Sequence, residues 1–391
     1  MRRLRRVGLA VAAVLAAGLA VFFYVPTLVD GKMNQVVAPG PYAASAKATA
    51  LYSTLFVADL HDDALLWNRD LLTRYSRGHS DLPRQLDARL GLQVFAAVTK
   101  TPKGMNYERN SDQTDNITML IMAQRWPVAT WNSLLERALY QSEKLHTAAA
   151  DSHGQLVIVK SQKDLAAHVQ AWQKNPQRVA AVLALEGLHP LQGELAHVDR
   201  LFDAGYRIAG LTHFFDNEVG GSAHGMQKGG LTPFGREVVA RLQAKHMLID
   251  VAHASKPVMD DVLALAKAPV LVSHTGVAGT CPGPRNLTDA HLRGIAATGG
   301  LVGIGYWDGA VCEPTVANIV KAMRYAIGVV GVNHVALGSD FNGATRTPFD
   351  VTGLAQIVDG LQQAGLSEAD IRAVMGGNVQ RVLLQSLPLG E

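Results

Sequence analysis

Val57-Ala58-Asp59-Leu60-His61-Asp62-Asp63 carries a short apolar run straight into a histidine and two carboxylates. Burying such groups is costly unless they are paired or coordinated. A single loaded strand end reads as a polar residue at a strand tip. This chain repeats the pattern five times, in Val182 to Glu186, Ile208 to His213, Leu248 to His253, Val270 to His274 and Val335 to Asp340. Six such ends in one register predict strands that deliver side chains to a common point, the pattern of a metallohydrolase.

Outward from these ends, strands are predicted at 56–61, 92–98, 179–186, 207–213, 247–253, 269–274, 300–306 and 334–340. Stretches of helical period lie between them, at 134–150, 162–174, 194–204, 233–245, 256–267, 288–298 and 315–330. Thr232-Pro233 offers an N-cap followed by a proline at the first helical position. Ser367-Glu368-Ala369-Asp370 resembles a capping box with Asp in place of the usual Glu.

Strands joined by helical crossovers imply a parallel sheet, open and doubly wound or closed. An open sheet keeps distant strand ends apart, whereas a closed barrel gathers all of them around one mouth. Active ends on strands one, three, four, five, six and eight therefore predict an α/β fold, a TIM-type (β/α)8 barrel with extra C-terminal helices packed outside it. The long polar stretch 100–133 is expected to cross the mouth.

The 391 residues, 48% of them hydrophobic, suffice for a large core. Arg2, Arg3, Arg5 and Arg6 account for the formal charge of +3, so no basic stripe remains to suggest a nucleic acid. After these arginines, Val7 to Val25 is an uncharged run of nineteen residues. A helix of that length nearly spans a ~30 Å hydrocarbon core. Arginines kept on the cytoplasmic side would place the remainder outside. A cleaved signal peptide competes, but no small-x-small site follows closely in Phe22-Phe23-Tyr24-Val25-Pro26-Thr27.

The expected organisation is thus a basic cytoplasmic segment at 1–6, a transmembrane signal-anchor at 7–26, a linker at 27–45 and a hydrolase domain at 46–391. The linker is inferred from Pro26, Gly31, Pro39, Gly40 and Pro41, which break regular elements. The expected location is the cell membrane, as a single-pass protein with its domain on the extracytoplasmic, periplasmic side. Two cysteines occur, Cys281 and Cys312. In a translocated domain the expected state is a disulfide, worth about 3–4 kcal/mol by loop entropy, rather than two free thiols.

His61 and Asp63, two apart on an extended strand end, can grip one cation from a single segment. Glu186 ends an apolar run that offers no cation, and its two oxygens could bridge two ions. His253 and His274 end neighbouring strands and would hold a second ion. Nitrogen and oxygen donors without thiolates suit Zn²⁺, ahead of Mn²⁺, Co²⁺ or Fe²⁺.

With Leu185-Glu186-Gly187, Leu211-Thr212-His213 and Asn217, Leu231 to Val239, Ile249-Asp250-Val251-Ala252-His253, Val272-Ser273-His274, Arg285-Asn286, Gly338-Ser339-Asp340-Phe341 and Gly376-Gly377-Asn378, the set resembles the membrane (renal) dipeptidases. These are dizinc hydrolase barrels, and the likeness runs from residue 56 to about 385. The resemblance implies two zinc ions per chain, one on His61 and Asp63, the other on His253 and His274, with Glu186 bridging. It implies a metal-activated water as nucleophile, Asp340 as the proton carrier, His213 steadying the oxyanion and Arg285 clamping a substrate carboxylate. The implied substrate is a dipeptide or short peptide with a free C-terminal carboxylate. Family members often pair, which leaves a homodimer open, and mammalian members carry a disulfide where Cys281 and Cys312 stand.

One departure is visible. The family usually reads Asp-Phe-Asp-Gly at the last strand, and this chain reads Asp340-Phe341-Asn342-Gly343. If Asn342 removes a needed carboxylate, charge balance or proton transfer would suffer. His189 and His224 are read as loop or supporting residues, and His79 as shaping the loop after the first strand. Tyr306 and Trp307 could line the pocket or simply pack. Two rival functions share the barrel: a specialised maturation factor for a secreted peptide metabolite, and a non-catalytic binding protein.

Overall fold

The computed structural model of the protein describes residues 2–390. Eight parallel strands form the barrel: β1 (Val57–Asp62), β2 (Leu90–Val98), β3 (Val179–Glu186), β4 (Tyr206–Gly210), β5 (Leu248–Asp250), β6 (Leu271–Thr275), β7 (Leu301–Ile304) and β8 (Val335–Leu337). Each pairs with the next in chain order, and β8 returns to β1 through Leu337 and Asp59. The sheet is therefore closed, as the six loaded ends require. A short extra strand, Leu156–Ile158, pairs with the N-terminal end of β3 beside β4.

Alternation along the strands builds two cores. Ala58, Leu60, Leu92, Val94, Ala180, Val182, Ala184, Ile208 and Leu271 form one cluster inside the barrel, while Val57, Phe95, Ala181, Leu183 and Leu185 belong to the other, shared with the surrounding helices. Continuing the inner face of β3 past Ala184 places Glu186 in the mouth. Bulges between Asp59 and Asp62 and between Val272 and Thr275 break the alternation beside His61 and His274. Such bulges re-aim side chains.

The caps read from sequence are present. Thr232 accepts from Gly235 N, and Ser367 with Asp370 makes a reciprocal capping box. The C-terminal helices do not all pack outside. Val379, Val382 and Leu383 of helix Asn378–Ser386 join the interior cluster with Ala58, Leu60 and Ala336, so the last helix plugs the barrel.

At the other end of the chain, one helix runs from Arg2 to Met33 and is long and apolar enough to cross a membrane. It continues through Pro26 and Gly31, so the first seven residues of the expected linker 27–45 are helical. Tertiary contacts override the local breakers. Buried Asp30 pairs with Arg69 Nε at 3.0 Å and Arg77 Nε at 2.9 Å, and accepts from Asn34 Nδ2 at 2.8 Å. Gln35–Val36 then pairs in parallel with Arg346–Thr347, beyond β8. The Cys281–Cys312 disulfide is formed and ties the loop after β6 to the segment after β7.

Candidate active site

Glu186 is the centre of the barrel mouth. Its Oε1 lies 3.1 Å from His253 Nε2, 3.4 Å from His274 Nε2 and 3.4 Å from His61 Nε2, while Oε2 lies 3.4 Å from His213 Nε2. Four imidazoles from four strand ends thus face one carboxylate. His61 Nε2 is also 3.4 Å from Asp63 Oδ1 and 4.0 Å from Asp340 Oδ1. His253 and His274 bring their Nε2 atoms within 3.0 Å of each other. The structure therefore brings His61, Asp63, Glu186, His213, His253, His274 and Asp340 together, all of them buried.

Backbone geometry sets these positions. Asp63 lies just past the end of β1, at the head of the 3-10 turn Ala64–Leu66, rather than sitting on an extended strand as the spacing suggested. His253, Asp340 and Asn342 all take left-handed φ values near 60°. Non-glycine residues rarely adopt that region, and it tends to be kept at functional sites. Ser273 Oγ lies 2.8 Å from His274 Nδ1 and 3.3 Å from His61 Nδ1, which leaves both Nε2 atoms facing the centre.

The electrostatics are those of a crowded polar cluster. Burial alone disfavours a cationic His61, yet the carboxylates of Asp63 and Glu186 hold its pKa well above the usual range. Burial would raise Glu186, but His213 and His61 hold it well below. Burial, reinforced by Glu186, drives Asp63 well above. Asp340 is pushed up to about 7, chiefly by burial, with His61 opposing and Glu186 adding. His253 and His274 are held neutral by burial, with Arg285 adding to the effect.

This cluster fits metal ions on its own chemistry. His61 Nε2, Asp63 Oδ1 and Glu186 Oε2 are buried with no hydrogen-bond partner. Orphaned polar atoms of this kind need an explanation. Donor atoms of His61, Glu186 and His274, of Glu186, His213 and His253, and of His61, Asp63 and Asp340 each lie within 4.8 Å of one another. Nitrogen and oxygen donors converging this closely suit a divalent transition ion.

Arg285 reaches the same space. Its NH1 lies 3.0 Å from His253 Nε2, its NH2 donates to His274 O at 2.5 Å, and its guanidinium sits 5.1 Å over the Trp307 ring. Trp307 lines the cavity, whereas Tyr306 packs edge-on against Phe341 and Phe349. The 100–133 stretch does reach the mouth, and Tyr107 accepts from Trp307 Nε1 at 3.0 Å. His189 packs against Phe215, and His224 stacks on Phe214.

Sequence reasoning missed two contributors. Lys144 donates to Leu65 O at 2.6 Å and Trp67 O at 2.9 Å, which holds the turn after Asp63. Burial lowers its pKa to about 7. Phe22, Val25, Val29 and Met33 of the N-terminal helix wall the cavity, in a region read as anchor and tether. Neither has a local motif that could have signalled it.

A cluster of histidines and carboxylates at the C-terminal mouth of a parallel barrel defines a metal-dependent hydrolase. The membrane dipeptidase family, peptidase family M19, matches residues 45–387, and the chain belongs to it. It is a metallo-dipeptidase by that membership, which sets aside the non-catalytic binding reading. The dipeptidase aclJ of Aspergillus oryzae is 27% identical over 354 residues, which span 84% of this chain and 77% of that protein. An uncharacterized protein in the pqqA 5' region of Klebsiella pneumoniae is 31% identical over 220 residues, 52% of this chain and 81% of that one. A metallo peptidase from Rhodobacter sphaeroides, liganded with a phosphinate mimic of the dipeptide L-Ala-D-Ala, is 24% identical. It superposes with a TM-score of 0.69 over 85% of this chain and 99% of its own.

Proposed function

We propose that the protein is a membrane-anchored dizinc dipeptidase that cleaves short peptides with a free C-terminal carboxylate on the extracytoplasmic side. The observation that carries this reading is Glu186, one carboxylate facing four imidazoles, with unpartnered donor atoms around it. His61 and Asp63 would hold one ion, His253 and His274 the other, and Glu186 both. Bound there, two cations would lower the pKa of water towards neutrality and supply the nucleophile.

The chain's own groups would do the rest. Arg285 offers a planar fork for the substrate carboxylate. Asp340, with its pKa raised to about 7, can hold or release a proton near neutrality, which suits passing one to the departing amine. His213, on the Oε2 side of Glu186, would donate to the oxyanion. The dipeptide mimic on the Rhodobacter sphaeroides neighbour supports the substrate class. The apolar helix and the Cys281–Cys312 bridge support anchoring and an oxidising compartment.

The test uses protein stripped of metal and refilled with zinc, assayed on a dipeptide panel that includes D-residue C-termini. Hydrolysis is expected, with Asp340→Asn lowering kcat about 10²–10⁴-fold. A panel that stays inert with two zincs bound overturns the reading. Release of the full chain from membranes by carbonate washing would overturn the anchoring.

A further inference from the structure

The cavity at the mouth encloses about 700 Å³, within the ~300–1,000 Å³ range of pockets that bury drug-sized ligands. Its charged carboxylate and guanidinium groups, Asp63, Glu186, Arg285 and Asp340, all sit in the catalytic cluster. Away from the cluster the lining is mainly apolar. Trp67 comes from the turn after β1, Ile117 and Leu120 from the helix Ile117–Ala123, and Phe22, Val25 and Val29 from the N-terminal helix.

Three segments distant in the chain thus build one apolar wall that is continuous with the site. Two residues of peptide need no such wall. With the substrate carboxylate at Arg285, the amino-terminal end is the one left to run along it. Part of the wall belongs to the same helix that is apolar enough to enter a membrane.

We infer that the substrates are short peptides bearing a fatty-acyl chain on the amino-terminal side of the scissile bond, with the chain lying against the N-terminal helix and Leu120. This rests on the dipeptidase reading above and deepens it. Water adds across the peptide bond: its hydroxyl goes to the carbonyl carbon and its proton to the departing amine. The products are an N-acyl amino acid and a free amino acid.

Zinc-loaded full-length protein in lipid nanodiscs is assayed on Ala-Ala and on its acetyl, octanoyl and dodecanoyl derivatives by mass detection of released alanine. The ratio of kcat/KM for dodecanoyl over acetyl substrate is expected to be about tenfold or more, since one fully buried methylene is worth about threefold or more. Leu120→Asp should cut that ratio to near one. Met119→Glu, at a position 57% exposed on the same helix and so without folding risk, should also lower it. A flat chain-length dependence in the wild type, with Ala-Ala cleaved, overturns this inference and leaves the dipeptidase reading standing. A rise that persists in both variants assigns the effect to partition into the bilayer and overturns it too. Failure on every substrate with zinc bound overturns both readings.

Discussion

Asn342 stands where the family's usual run has a second aspartate, and its surroundings explain the exchange. Its Nδ2 donates to Asp62 Oδ1 at 2.7 Å and Ser80 Oγ at 3.1 Å, while its Oδ1 accepts from Arg69 NH2 at 2.5 Å and His79 N at 2.9 Å. Donors and acceptors are all used. An aspartate here would set a carboxylate against that of buried Asp62. Asn342→Asp is therefore expected to cost about 1–3 kcal/mol of stability. Adding Asp62→Asn, which restores a donor between the two, should recover most of it in a double-mutant cycle. Urea melts of the four proteins decide this, and a double variant no more stable than Asn342→Asp would refute the pairing. The sequence exposed the departure but not its compensation, because positions 62 and 342 meet only through the closure of β1 on β8.

At the scale of elements, His79 ties the Gln35–Val36 strand to the mouth. Its Nδ1 accepts from Asn342 N at 2.8 Å and its Nε2 donates to Gln35 O at 2.9 Å, so the ring must be neutral. Burial lowers its pKa to about 4. The unfolded chain takes up this proton near pH 6.5, and the folded chain takes it up only near 4. Stability from His79 is thus full above pH 6.5 and is lost as pH falls towards 4, on the order of 3 kcal/mol in total. Melting temperatures across that window should fall less steeply in His79→Gln. Parallel profiles for the two proteins would refute the assignment. The strands and most helices were legible because apolar period and caps are local signals. The helix beyond Pro26 was not, since Pro26 and Gly31 read as breakers and only the pairing of Asp30 with Arg69 and Arg77 shows why it continues.

For the whole molecule, the barrel followed from six active strand ends, which no open sheet could bring together. The plugging helix was harder to foresee, because amphipathic period says which face is apolar but not which wall it meets. Three buried carboxylates crowd the mouth, so removal of bound metal should destabilise the entire fold. With free zinc at a hundred times its dissociation constant, one site is worth about 2.7 kcal/mol. A chelator should lower Tm by several degrees and zinc should restore it; an unchanged Tm after verified metal loss would count against the metal reading. The helix Arg2–Met33, roughly 48 Å long at 1.5 Å per residue, has a mechanical side as well. Its final turns are pinned at Asp30, while Pro26 withholds the N–H that would have bonded the Phe22 carbonyl. The compliant joint of this lever is therefore at Pro26, between cavity-lining Phe22 and Val29. A bend at that joint would carry Phe22 and Val25 with the apolar arm while Val29 stays with the end pinned at Asp30, so the cavity wall itself would reshape there.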